Sequence, residues 1–222
     1  MNEHKILVIL PALNVEDQII GVVKSSYKHA TKVIVISDGS TDNTSENAKI
    51  AGAYCPKQIC LRGKGNAIRR GIEVSKKFQS DIIVLMDSDG QHRPEEILDV
   101  CKPIINEECD MVIGSRMKGT LQTSFINKFG NLILKFISFL VTLKWVSDTE
   151  SGFRSYKTNY LYSLELTSER YEIESELLIK SLKKKYKYKE VPITVPKIIP
   201  GVTIMDGIKN GIWKIKFALR RS

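Results

Sequence analysis

Short apolar runs rich in β-branched residues alternate, through the first half of the chain, with longer segments whose apolar positions recur at helical spacing. Residues 5–10 and 32–36 are of the first kind and read as strands. Between them, residues 17–29 read as a helix with Ile19, Ile20, Val23 and Tyr27 on one face. Ser40, Thr41, Asp42 and Asn43 supply helix-start side chains for a segment ending near Gly52. Residues 58–61 read as a further strand, 65–77 as a helix and 81–86 as a buried strand with polar ends. Pro94 suits the first turn of the next helix, where Glu95 and Glu96 complement the helix dipole, and 110–113 read as another strand. This β-α-β-α order predicts an α/β fold with a mostly parallel central sheet and helices on both faces. No repeat, low-complexity tract or linker interrupts the 222 residues, so one domain spanning 1–222 is expected.

Two later segments break the pattern. Residues 131–146 are dense in large apolar side chains (Leu132, Ile133, Phe136, Phe139, Leu140, Trp145) but are shorter than the ~20 residues of a bilayer span. Residues 203–221 carry Ile204, Ile208, Ile212, Ile215 and Leu219 at near-helical spacing. Lys209, Lys214, Lys216, Arg220 and Arg221 are interleaved with Trp213 and Phe217. Both segments suit a membrane interface, and both equally suit a role in completing the core.

Composition changes this picture little; charge changes it more. A hydrophobic content of 42% and a charged content of 27% fit a soluble globular protein. The chain opens almost directly into a strand without a signal-like segment, which predicts no export and no transmembrane span. Cys55, Cys60, Cys101 and Cys109 form no C-x-x-C pair and read as free thiols. The net charge of +9 resides in residues 183–222, with 11 basic and 2 acidic side chains, whereas residues 1–182 hold 23 of each. Such an excess is attracted to anionic surfaces. With no nucleic-acid-binding module in the chain, a peripheral position on the cytoplasmic face of an anionic membrane is expected, with no nucleic-acid partner.

The chemistry gathers where strands end. Residues 81–86 run straight into Asp87, Ser88 and Asp89. Carboxylates at i and i+2 of an extended backbone share a face, at the carboxyl end of a strand, where open α/β sheets place ligands. Oxygen donors in this number suit Mg²⁺ or Mn²⁺ held jointly with substrate phosphates. Pro11, Leu13, Asn14 and Glu16 follow the first strand, and Asp38 follows the second, so three polar loops converge on one edge. Carboxylates and amides there suit ribose hydroxyls and base N–H groups. Gly63, Lys64, Gly65 and Asn66 open a helix in a manner that suits a phosphate, without the spacing of a P-loop, and no G-x-G-x-x-G follows the first strand.

Seven motifs in order then resemble one family. They are residues 11–16 (P-x-Y-N-E-like), Asp38-Gly39-Ser40 (D-D-G-S-like), and 63–71 (G-K-G-x-A-x-R-x-G-like). Asp87, Asp89, Gln91 and His92 follow (D-x-D-x-Q-H-like), with Gly114-Ser115-Arg116 and Asp148 through Arg154 (D-x-x-S-G-F-R-like); Glu176-Leu177-Leu178 resembles a late helix motif. The chain resembles the inverting family-2 glycosyltransferases of the GT-A (nucleotide-diphospho-sugar transferase) fold, in the branch of dolichol-phosphate mannose synthase and polyprenyl-phosphate sugar transferases. Leu13 stands where the family has Tyr, Val15 where it has Glu, and Ser37 where it has Asp.

The resemblance implies metal-dependent transfer of a hexose from GDP-mannose or a UDP-sugar to a dolichyl or polyprenyl phosphate, with inversion. Asp87, Asp89 and Gln91 would hold Mg²⁺ or Mn²⁺. Pro11, Leu13, Asn14, Glu16, Asp38, Lys64, Gly65, Asp87, Ser88 and Asp89 would hold the nucleotide sugar. Arg116 and Arg154 suit phosphate by their guanidinium geometry, and Asp148 is the carboxylate best placed as a base for a hydroxyl acceptor. Ser124, Lys128, Arg154 and Lys197 are expected at the acceptor phosphate, and His92 in an orienting role. A glycosyltransferase acting on a hydroxyl of a glycan or glycolipid is the alternative. A sugar nucleotidyltransferase would need a Gly-rich signature after the first strand, and a membrane scaffold gives no reason for the Asp pair.

Overall fold

The computed structural model describes residues 4–57, 63–119, 139, 144–195 and 213. The expected strand at 58–61, most of segment 131–146 and all of segment 203–221 but residue 213 lie outside them. The described strands are β1 (Ile6–Ala12), β2 (Lys32–Ser37), β3 (Ile82–Leu85), β4 (Met111–Ser115), β5 (Arg154–Lys157) and β6 (Tyr188–Pro192). They form one sheet in the order β2-β1-β3-β5-β4-β6. β1 pairs in parallel with β2 and β3, and β4 with β6, while β5 runs antiparallel between β3 and β4. The sheet is therefore mostly parallel, with one reversed strand inserted near its centre.

Alternation along β1 shows how the layers arise. Ile6, Val8, Leu10 and Ala12 pack to one side with Ile19, Val22 and Val23 of α1 (Glu16–Ser26), Ala48 of α2 (Thr44–Ile50), and Ile97, Val100 and Ile104 of α4 (Ile97–Ile105). Leu7 and Ile9 point the other way, toward Ala67, Ile68 and Ile72 of α3 (Lys64–Ser75), Leu161 of α5 (Thr158–Tyr162), and Ile173, Leu177 and Leu178 of α6 (Ile173–Lys183). Since side chains alternate with a period of two, a strand covered on both faces must be apolar at every position, as β1 is. Helices thus cover both faces, as the alternation predicts.

Boundaries shift in instructive ways. The segment opened by Pro94 begins as a single 3₁₀ turn, Pro94–Glu96, and becomes α-helical only at Ile97. β5 has no apolar run to announce it: Arg154, Ser155 and Tyr156 are all essentially buried, and Ser155 Oγ donates to Val100 O at 2.7 Å. Cys55, Cys101 and Cys109 are free thiols. Of the segment 131–146, the rings of Phe139 and Trp145 meet edge-on at 5.9 Å, with Trp145 exposed and Val146 buried. No helix among the described residues is long and apolar enough to cross a membrane.

Candidate functional site

The carboxyl ends of β1, β2, β3 and β4 share one edge, and because β5 is reversed its amino end joins them. The loops after β1 and β2 clasp each other. Asn14, with φ of 51°, accepts from Thr41 N at 2.9 Å through Oδ1, while its own N–H donates to Ser40 Oγ at 3.2 Å. Glu16 Oε2 accepts from Asn43 N at 2.9 Å, and Val15 N donates to Thr44 Oγ1 at 2.8 Å. Asp38 is buried and accepts from Gly63 N at 2.6 Å, so it fastens the start of α3 to the end of β2. Ser88 Oγ donates to Pro11 O at 2.7 Å, tying β3's loop to β1's. Leu13 projects from this clasp, 57% exposed.

The two aspartates after β3 differ. Asp89 is partly exposed, and its carboxylate accepts from its own loop: from Gln91 N at 3.0 Å and from Gln91 Nε2 at 2.7 Å. Gly90 between them has φ of 80°, the left-handed conformation that lets the loop fold back. Asp87 instead pairs with Lys64, whose Nζ lies 2.5 Å from Asp87 Oδ1 and 2.7 Å from Glu174 Oε1. Burial works to raise the Asp87 carboxyl, but the Lys64 ammonium outweighs it and holds Asp87 below the usual carboxylate range. Burial likewise works against the charge on Lys64, and its two carboxylates hold it protonated. Glu174, nearly inaccessible, is pushed above the ordinary range by its burial. Gly152 lies so close to the Asp87 carboxylate that any Cβ there would collide with it.

His92 is buried, accepts from Asp87 N through Nδ1 at 3.3 Å, and lies against Phe153 with ring centroids 5.3 Å apart. Its burial lowers its pKa, and a neutral ring is what an accepting Nδ1 requires. It supports the loop as an orienting group.

Arg116 and Asp148 form a closed pair. Arg116 Nε and Nη2 donate to Asp148 at 2.8 and 2.7 Å, and Arg116 N adds a bond of 3.0 Å. Burial opposes ionisation of Asp148, but these bonds prevail and keep it below the usual range. With both oxygens engaged by Arg116, Asp148 is not arranged as a free base. Arg154 is 1% exposed and donates to three backbone carbonyls, Ser151 O, Glu174 O and Thr149 O, at 2.9, 2.7 and 2.7 Å. Sequence reasoning put Arg154 at a phosphate; the structure turns it inward, where its donors bind backbone oxygens. Ser124, Lys128 and Lys197 lie outside the described residues.

Gly63 and Gly65 press against the backbone of residues 168–170, with Glu169 O accepting from Asn66 N at 3.0 Å. Glu176, fully buried, accepts from Thr167 N, Thr167 Oγ1 and Ser168 N at 2.7–3.0 Å and so anchors that segment. The structure therefore brings Pro11, Asn14, Asp38, Lys64, Gly65, Asp87, Ser88 and Asp89 to one edge. Sequence reasoning missed Glu174. The available signal was a second carboxylate two residues before Glu176, at the start of the same helix.

Among the described residues, no group of three His, Cys, Asp or Glu side chains is gathered to hold a metal. The donors present are oxygens on a partly exposed loop, which fits a hard divalent ion completed by ligands from outside the protein.

Residues 7–164 match the family model described as glycosyl transferase family 2. The chain belongs to glycosyl transferase family 2. Among relatives of this glycosyltransferase, the UDP-N-acetylglucosamine–dolichyl-phosphate N-acetylglucosaminyltransferase of Methanococcus voltae is 34% identical over 236 residues, covering 94% of each chain. The dolichyl-phosphate hexose transferase of Haloferax volcanii is 30% identical over 200 residues, 88% of this chain and 85% of that one. The crystal structure of glucosyl-3-phosphoglycerate synthase from Mycobacterium tuberculosis with Mn²⁺, uridine diphosphate and phosphoglyceric acid superposes with a TM-score of 0.78 at 22% identity, covering 99% of this chain and 80% of that one. At that identity the likeness bears on the fold, which is GT-A. The protein is a hexosyltransferase built on that fold.

Proposed function

We propose that this glycosyltransferase moves a hexose from a nucleoside-diphosphate sugar to a polyprenyl or dolichyl phosphate, with inversion at the anomeric carbon. The observation that carries the reading is the edge itself. Asp38 and the Asn14 loop line one side, Asp87 and Asp89 the other, and Lys64 lies between, bonded to Asp87 and joined through Gly63 to Asp38. The reading is supported by two relatives whose names specify dolichyl phosphate.

Asp89, with Gln91 and Asp87, would hold Mg²⁺ or Mn²⁺, which supplies charge neutralisation at the leaving diphosphate. The chain's own residues do the rest. Asp38 and the clasped loops orient the nucleoside, and the exposed Leu13 offers an apolar face beside them. A phosphate acceptor is already ionised near neutral pH, so the reaction needs no strong general base. That agrees with the engagement of Asp148 by Arg116. The partly exposed Arg116 leaves one guanidinium edge for phosphate, whereas Arg154 acts as scaffold. Attachment to an anionic membrane face through the basic residues of 183–222 would bring the site to its lipid acceptor.

The test is a panel of labelled GDP- and UDP-sugars with polyprenyl phosphate or polyprenol, followed by organic extraction. Label is expected in the organic phase with the phosphate alone; transfer to polyprenol or only to water-soluble glycans would support the hydroxyl-acceptor alternative.

A further inference from the structure

Lys64 is shared by two carboxylates of different character. Asp87 has a side chain 26% exposed and stands beside Asp89 at the sheet edge, whereas the side chain of Glu174 is 6% exposed. Glu174 Oε1 is buried, and the Lys64 ammonium lies 2.7 Å from it. The backbone carrying Lys64 is fixed independently of that ammonium. Gly63 N bonds to Asp38, Asn66 N bonds to Glu169 O, and Gly63 and Gly65 press on residues 168–170, which Glu176 holds from the same helix as Glu174.

A divalent ion drawn to Asp87 competes with Lys64 for the same carboxylate. An ammonium that lost Asp87 and had no second anion would be a stranded, largely buried charge, which is strongly unfavourable. We propose that Glu174 is a positioning residue that retains Lys64 when Asp87 turns toward the divalent ion, so that the ion enters without leaving a buried ammonium unpaired. This rests on the reading of Asp87 and Asp89 as the ion site. Glu174 acts through Lys64 and need not touch either substrate.

The experiment measures Mn²⁺ affinity by electron paramagnetic resonance of the free ion, with saturating UDP or GDP. It uses the full chain, Glu174→Gln, Lys64→Met, the double variant and Asp89→Ala. Glu174→Gln is expected to weaken Mn²⁺ binding about tenfold when Lys64 is present, and less than about twofold in the Lys64→Met background, where no ammonium remains to strand. A merely structural role for Glu174 would weaken binding by the same factor in both backgrounds, and that result overturns the proposal, as does no weakening in either. Should Glu174→Gln not fold, Glu174→Asp keeps the charge one methylene short and is expected to weaken binding about threefold, again only with Lys64 present; unchanged affinity there overturns the proposal equally. If Asp89→Ala binds Mn²⁺ as the native chain does, or the native chain binds none with either nucleotide, the ion-site reading itself falls and the role of Glu174 with it.

Discussion

Two charged clusters stand at the carboxyl edge of the sheet and are built in opposite ways. Around Asp89 the carboxylate is partly exposed, and its described partners belong to its own loop. Around Asp148 and Arg154 the charges are closed in. Arg116 covers both Asp148 oxygens, and Arg154 donates to three carbonyls with 1% of its surface exposed. The difference teaches that a charged motif residue at a strand end is not thereby a ligand-binding one. What separates the two is the partner: neutral donors of its own partly exposed loop for Asp89, a guanidinium in a buried pair for Asp148. An open carboxylate can take up an ion at little reorganisation, whereas a closed pair must first be broken, at a cost of several kcal/mol when buried.

The comparison breaks first at Asp89. Replacement by Ala should lower kcat/KM by roughly 10³-fold, about 4 kcal/mol of transition-state stabilisation, while the urea midpoint stays near that of the native chain. Near-normal turnover would remove Asp89 from the chemistry. Arg154→Met should do the reverse, with a loss of about 4 kcal/mol in unfolding free energy, because three buried carbonyls lose a charged donor. A native-like midpoint would show that Arg154 is no scaffold.

Asp148→Asn sharpens the contrast through pH. Its folded-state pKa is lowered, so the stabilisation is complete above the ordinary carboxylate value of about 3.9 and is lost as the pH falls through the lower folded value. The variant should be destabilised by about 2 kcal/mol at neutral pH, and this difference should shrink in acid. Equal pH dependence in both proteins would contradict the closed pair. Asp38→Asn has the smallest expected effect. Donor KM should rise roughly tenfold with kcat within about threefold, as for lost uniform binding, and a pure kcat defect would place Asp38 elsewhere.

Legibility in the sequence followed the same division. β1, β2 and β3 are covered on both faces and announce themselves as unbroken apolar runs, and the Asp pair follows directly from where β3 ends. β5 is buried over its first three residues but reads Arg-Ser-Tyr-Lys, because Arg154 and Ser155 find partners in the backbone of other elements, which no local pattern records. Glu174 was hidden for the same reason. Its partner Lys64 lies 110 residues away in sequence, and only the meeting of the first turns of α3 and α6 brings them together. Motif order located the edge; it could not tell which charges there were already paired.

The central claim is that the open cluster holds a divalent ion together with a nucleoside diphosphate. Calorimetric titration of the protein with UDP and with GDP, in Mn²⁺ and then in excess chelator, tests it most directly. The account predicts binding of one nucleotide in Mn²⁺, lost in chelator and lost in Asp89→Ala with Mn²⁺ present. Binding of equal strength in chelator, or undiminished binding by Asp89→Ala, would contradict it.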